Sequence, residues 1–506
     1  MTDTPARPLR PPRAALGPQR RRASTAVAAL FAAGALLLAA CGQSDPDAAA
    51  PEPATVPALE PERPPDPAPA PASAPEPAPE PAPEPPPPEP PRTTPPAPEP
   101  PPRPPAPPLP APEPPPSPPP RPTAEPPEPL PPEPVEEETP AGEADFYDAP
   151  GGLEVPLPLP PGEPGEIIDI EELDVGEDFL GYRILYHSRS IRGDDIAVSG
   201  FVMAPAGDPP EGGWPLVAYA HGTTGTADIC APSHDAEGFI ATRGGYLEGY
   251  AIVATDYEGL GTPGLHPYIV GGSEARSMLD SVRAVQHLGG VTVSEEFVVW
   301  GHSQGGHAAL HTGRHWREYA PELQLLGVAA GAPPSQFALL YDVLLGGPYQ
   351  GYLAMASAAF AEAYDEIELG QVYTDEAIAL MEVLETGCTQ DVFDVFNPLS
   401  AEEMLKVKSP LGVSPWDRVI IENDVNGAPV PAPLLILHGS DDEQIPAVSS
   451  LFLLGQLCVQ PGQGPTVRIE YPGHNHSSVI AAQRDDLLDW IGGRFAGEPA
   501  PSTCAG

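Results

Sequence analysis

Positive charge is scarce in this 506-residue chain: 24 Lys and Arg stand against 71 Asp and Glu, for a formal net charge of −47. Such a chain lacks the basic surface that phosphate backbones require, so no nucleic-acid partner is expected. Large apolar residues are almost missing between about Asp45 and Glu166, where Pro-Glu-Pro and Pro-Ala-Pro repeats dominate. A segment with nothing to bury forms no core, and proline offers no backbone donor. It is expected to be a disordered, solvated polyproline II spacer that carries much of the acidic charge. At ~3.1 Å per residue, about 110 such residues reach at most ~340 Å. Long apolar runs are missing after Ala40, so no membrane span is expected in the remainder.

What precedes the spacer is an export signal. Arg7, Arg10, Arg13 and Arg20 to Arg22 lead into an uncharged Ala- and Leu-rich run from Ala23 to Ala40. The run closes on Leu38-Ala39-Ala40-Cys41-Gly42, which resembles the lipobox of bacterial lipoproteins. The resemblance implies cleavage before Cys41, acylation of Cys41, a membrane partner held through that lipid anchor, and an outer-membrane or cell-surface location. Residues 1–40 are then the signal peptide and 41–166 the tether. Only five cysteines are present. Setting Cys41 aside leaves Cys230, Cys388, Cys458 and Cys504, an even number for an oxidising compartment. Three pairings are open. The favoured one joins Cys230 to Cys388 and Cys458 to Cys504.

Residues 167–506 hold the apolar patterning of one large domain. Tyr182 to His187 and Ile196 to Ala204 flank the turn residues Arg192 to Asp195 and are expected to pair antiparallel at a sheet edge. Short apolar strands then alternate with helical patterns: Leu216 to Ala220, Ala251 to Ala254, Phe297 to Trp300, Leu325 to Ala329, Leu434 to Leu437 and Val467 to Tyr471 are the strands. The helices are expected over Ser273 to Leu288, Gly306 to Tyr319, Val448 to Leu457 and Ser478 to Phe495. The rhythm predicts an α/β fold, a mostly parallel central sheet with helices on both faces. Chemistry collects at the carboxyl ends of such strands. Residues 332–433 break the rhythm with helix-like segments separated by Gly and Pro, and read as an inserted helical cap.

Gly301-His302-Ser303-Gln304-Gly305 lies between a strand and a helix. A sharp turn there exposes the Ser303 hydroxyl, while the flanking glycines let strand and helix cross without a Cβ clash. A serine needs an imidazole to take its proton and a carboxylate to orient that imidazole. Asp441 and Asp442 follow one late strand, and His474 and His476 follow the last. An oxyanion needs two donors: the Gln304 amide is one, and Thr223 or Thr224, in the loop His221-Gly222-Thr223-Thr224-Gly225, is the other, with Thr224 favoured. His307, His311 and His315 recur every four residues, but no Glu completes a zinc-protease pattern beside them, so they read as packing residues and no metal is expected. Asp256 to Gly261 borders the pocket and is assigned no catalytic role.

Gly301 to Gly306, Asp256 to Gly261 and Thr226-Ala227-Asp228-Ile229-Cys230-Ala231-Pro232-Ser233 together resemble the secretory lipase family, the fungal lipase A type and its bacterial relatives. The likeness spans roughly Leu180 to Cys504. It implies an α/β-hydrolase fold with a helical cap and two disulfides. In that superfamily the triad runs serine, acid, histidine. The spacing of Asp442 before Pro446 favours it over Asp441, and the place of His476 beside the final helix favours it over His474, with Asp441 and His474 as the alternatives. The implied function is a serine hydrolase of carboxylic esters, lipase or esterase, needing no cofactor and taking an ester or lipid substrate. The alternatives are a peptidase or amidase on the same fold and a non-catalytic envelope-binding lipoprotein.

Overall fold

The structure is a computed structural model that describes residues 144–145, 154–236, 238 and 249–504. The signal peptide (1–40), Cys41 and most of the tether lie outside the described residues. The last dozen residues assigned to the tether do not behave as a solvated spacer. After a short antiparallel pair, β1 Ala144–Asp145 with β2 Glu154–Val155, the chain packs down. Val155 is buried among Leu185, Ala197 and Leu260, with Leu159 against them. Gly165 N donates to His187 O at 2.7 Å and Gly162 N to Asp195 Oδ2 at 2.9 Å. Proline content masks this because the glycines keep their N–H groups and Val155 and Leu159 supply apolar surface.

Nine further strands form one sheet: β3 Ile167–Leu173, β4 Phe179–Arg189, β5 Asp195–Pro205, β6 Trp214–Ala220, β7 Ala251–Thr255, β8 Val293–His302, β9 Gln324–Gly331, β10 Leu434–Gly439 and β11 Thr466–Tyr471. Their order is β11-β10-β9-β8-β6-β7-β5-β4-β3. The strands from β11 across to β7 are parallel, and β5, β4 and β3 add on antiparallel. The expected antiparallel pair exists, but β3 rather than that pair forms the edge. The acidic, half-exposed sequence of β3 suits an outer strand.

Alternate residues of β8 serve opposite faces. Phe297 and Val299 join Leu310 and Val282 on one side, while Val298 and Trp300 join Leu487, Trp490 and Ile491 on the other. The first face is covered by α1 Gly271–His287 and α2 Gln304–Tyr319. The helix expected over Ser478 to Phe495 is broken at Gln483 into two pieces, Val479–Ala482 and Arg484–Phe495.

Between β9 and β10 the chain folds into α3 Phe337–Leu344, α4 Gly351–Ala363, α5 Asp375–Leu380, α6 Thr389–Phe396, α7 Ala401–Met404 and α8 Trp416–Glu422. Helices α6 and α8 were not evident in the sequence, since about two turns hardly sample a 3.6-residue period. This segment has a core of its own around Phe360, Tyr373, Phe396 and Trp416, and it rests on Tyr268, Ile269 and Ile445 of the sheet domain. Cys230 is bonded to Cys388 and Cys458 to Cys504. No helix among the described residues is long and apolar enough to cross a membrane.

Candidate active site

Strand order places the site. β7 lies on one side of β6 and β8 on the other, so the loops leaving β6 and β8 diverge and open a crevice at their carboxyl ends. Ala220 pairs with Gly301, which sets the β6 loop beside Ser303. Ser303 itself sits at φ 61° and ψ −126°, a strained conformation for a residue with a Cβ. A Cβ on Gly305 would overlap the Ala220 carbonyl, and one on Gly301 would overlap the Gly305 carbonyl. Both glycines are therefore demanded by the crossing of strand and helix. A Cβ on Gly222 would lie only 3.7 Å from that of Ser303, so the β6 loop passes directly over the serine.

The acid and histidine loops leave adjacent parallel strands, with Gly439 paired to Tyr471. Asp442 is buried, with Oδ1 accepting from Gln444 N at 3.0 Å and Ile445 N at 2.8 Å. Its Oδ2 faces His476 Nδ1 at 2.7 Å and His438 Nε2 at 3.3 Å. Burial pushes the carboxyl up, but the hydrogen bonds from His438 and His476 and the Ile445 N–H outweigh it and hold Asp442 well below the usual carboxylate range. A carboxylate only accepts, so His476 donates through Nδ1 and keeps the Nε2 lone pair for another partner. Asp441 is exposed and accepts from its neighbour Ser440, and His474 Nδ1 lies 3.3 Å from Ser478 Oγ. Neither shares the buried contact.

Ser303 and His476 line one cavity of about 730 Å³, together with Gly222, Thr223, Thr224 and Gln444. Gln304 opens α2, so its N–H is among those that no intrahelical carbonyl accepts. The Thr223 hydroxyl is engaged by Tyr268 at 2.9 Å. Thr224 Oγ1 is buried and has no hydrogen-bond partner among the described residues, while Thr224 O accepts from Thr389 N at 3.0 Å. The free hydroxyl is thus on Thr224. A second cavity, of about 60 Å³, also reaches Ser303 and is walled by apolar side chains of α3 and α4, Phe337, Leu340, Leu344, Leu353 and Phe360 among them.

Several supporting residues were not singled out by sequence reasoning. His302 donates through Nε2 to the His476 carbonyl at 2.9 Å, and burial, followed by the nearby His476, keeps its ring neutral by lowering its pKa far below the ordinary value. His438 backs Asp442. Glu274, fully buried, meets His307 and Gln304. Asp256, assigned no catalytic role, is buried and hydrogen-bonded by Ser199 Oγ at 2.6 Å and Ser233 N at 2.9 Å. Burial pushes its carboxyl up to about 6 against those bonds. Its carbonyl accepts from His221 Nε2 at 3.1 Å, rooting the β6 loop. His307 and His311 both point at Asn423 O, at 2.8 and 3.1 Å, and among the described residues no group of three His, Cys, Asp or Glu could hold a metal. The signal that could have found His302 and His438 is their place at a strand end beside the serine and the acid, but a partner's backbone carbonyl leaves no trace in sequence.

Comparison with known proteins bears on the family and the fold. The family model described as secretory lipase matches residues 239–503. A secreted triacylglycerol lipase, LIP4, of Malassezia globosa is 26% identical over 313 residues, covering 57% of this chain and 67% of that protein. Lipase 6 of Candida albicans is 23% identical over 407 residues, 72% of this chain and 84% of its own length. The crystal structure of Candida antarctica lipase A superposes with a TM-score of 0.60 at 19% identity, over 68% of this chain and 84% of that one, a likeness of fold. With the strand order, the cap and the serine turn already described, the chain belongs to the secretory lipase family and is an exported carboxylic ester hydrolase, a lipase or esterase on the α/β-hydrolase fold.

Proposed function

We propose that the protein is a membrane-anchored, extracytoplasmic serine hydrolase that cleaves carboxylic esters by an acyl-enzyme mechanism with Ser303, His476 and Asp442. The observation that carries this reading is the buried Asp442–His476 hydrogen bond in the wall of the cavity that Ser303 also lines. His476 Nε2 takes the Ser303 proton as Oγ bonds to the ester carbonyl carbon, and the carbonyl electron pair moves onto oxygen. The Gln304 N–H and a Thr224 donor receive that oxyanion. Collapse expels the alkoxide, which leaves with the proton from His476. Water then repeats the sequence on the acyl-enzyme, releasing the acid and restoring Ser303.

Two cavities meeting at one serine supply two subsites. The acyl chain fits the narrow apolar one under the cap, and the alcohol fits the wide one. A water needs about 10–15 Å³ of such volume, so the acyl side takes a short chain without rearrangement of the cap. The anchor rests on the sequence pattern at Cys41, with residues 41–166 as tether up to the packed stretch at Val155, and residues 167–506 as the catalytic domain with its cap at 332–433. Outer-membrane or surface exposure follows from that anchor.

The test is hydrolysis of p-nitrophenyl esters from acetate to palmitate, with Ser303→Ala beside the wild type. Turnover that vanishes in Ser303→Ala and peaks at short chains is expected. Absence of Ser303-dependent turnover on every chain length sinks the reading.

A further inference from the structure

The residue after the nucleophile is tethered by its side chain, and the tether runs to a carboxylate that the mechanism above does not use. Gln304 is fully buried, and its Nε2 lies 2.9 Å from His266 Nε2 and 3.1 Å from Glu274 Oε1. His266 Nδ1 faces the Glu258 carbonyl at 2.8 Å, so that nitrogen carries the hydrogen and Nε2 accepts. Burial, against the opposing Glu258 hydrogen bond, lowers the His266 pKa to about 3, which agrees with a neutral ring. Both amide hydrogens of Gln304 are therefore committed, one to His266 and one to Glu274. The reversed amide would set oxygen against two acceptors. Gln304 Oε1 is buried without a partner among the described residues, so the side chain is held through nitrogen alone.

Glu274 is also fully buried and holds three residues at once. Its Oε1 accepts from Ile269 N at 3.3 Å as well as from Gln304. Ile269, a β-branched residue at φ 61°, lines the apolar cavity beside Ser303. Glu274 Oε2 lies 2.7 Å from His307 Nδ1, three residues beyond Gln304 on the same helix. His307 Nε2 faces the carbonyl of Asn423, in the cap, at 2.8 Å and so must carry hydrogen. Two lone pairs cannot meet at the Glu274–His307 distance, so one hydrogen lies between carboxyl and ring. On either atom, the pair as a whole is uncharged.

Ser303 and Ile269 both occupy strained backbone, which persists only where its surroundings over-determine it. We infer that Glu274 is a positioning residue for the proposed hydrolysis: by gripping the Gln304 side chain, with His307 as its second support, it holds the Ser303–Gln304 peptide so that the Gln304 N–H meets the oxyanion. This rests on the reading of Gln304 as an oxyanion donor. A glutamine at 274 can reproduce the same pattern, its oxygen accepting from Gln304 and Ile269 and its nitrogen donating to a neutral His307. An alanine cannot.

The experiment measures kcat and KM on p-nitrophenyl butyrate for the full exported chain, per site titrated with a serine-directed organophosphonate. The variants are Glu274→Gln, Glu274→Ala, Gln304→Leu and the Glu274→Ala/Gln304→Leu double. Deleting an oxyanion donor costs about 10²–10³ in kcat, and misaiming one should cost roughly tenfold or more with KM little changed. Glu274→Gln is expected to stay near wild type, Glu274→Ala and Gln304→Leu each to lose that factor, and the double to lose no more than Gln304→Leu alone, because both changes cut one link. Wild-type kcat in Glu274→Ala, or losses that multiply in the double, overturns the inference. If Glu274→Ala does not fold, Gln304→Leu decides, and an unchanged kcat there overturns it equally. A wild type without Ser303-dependent turnover instead removes the hydrolase reading itself, so the two failures are told apart.

Discussion

At the residue scale, the two candidate histidines separate by what holds them. The His476 ring is buried against Asp442, whereas the His474 ring meets the Ser478 hydroxyl. Triad members act as a unit, so His476→Ala should lower kcat by about 10³ or more while His474→Ala stays within about threefold, measured on a short p-nitrophenyl ester. The reverse result transfers the base to His474. Asp256 makes a second prediction. Its folded-state pKa is raised, so the stability tied to its proton is complete below the unfolded value of ~3.9 and is lost as pH rises through about 6. Asp256→Asn cannot ionise and escapes that loss. Relative to wild type, the asparagine variant should gain up to about 3 kcal/mol in urea unfolding between pH 4 and pH 8. An unchanged difference across that range contradicts the assigned burial cost.

At the element scale, the cap is stitched to the β6 loop. The Cys230–Cys388 disulfide lies beside the Gly225–Cys388 bridge, the Thr389 N–H on Thr224 O, and the Thr226 hydroxyl on Leu384 O at 2.7 Å. All of these bear on the loop that carries Thr224. The Cys458–Cys504 bond instead joins the end of the helix Ala447–Leu457 to the C-terminal segment, and neither of its cysteines lines the cavity. Each bond should contribute ~2–4 kcal/mol. Replacing either pair by serine should lower Tm, but only the Cys230/Cys388 pair should also lower kcat; equal kcat in both double variants would detach the disulfide from the Thr224 loop. Strand positions were legible because each buried strand is a short apolar run, and the serine turn because its glycines are dictated by a crossing backbone. Edge strand β3 and the short cap helices α6 and α8 were not, since half-exposed acidic residues and two-turn helices carry little periodic signal.

At the scale of the whole molecule, the proline-rich segment and the hydrolase differ in composition, and a division of labour is proposed from that. In it the tether sets reach and the domain sets chemistry. Deleting residues 51–140 should leave kcat and KM on a soluble ester unchanged, while Cys41→Ala should release the enzyme from the membrane pellet. A kinetic change on deletion would give the tether a role in the site. Sequence by itself determined the alternation of strands and helices in the sheet domain, the serine turn and the supply of cysteines, because each is encoded in local spacing or in residue type. Only the tertiary structure decided which strand forms the edge, where the packed chain begins, that Thr224 rather than Thr223 keeps a free hydroxyl, and that Glu274, His302 and His438 stand behind the site. Those depend on contacts between segments distant in sequence, many of them to backbone carbonyls, and a backbone carbonyl is the same whatever residue carries it.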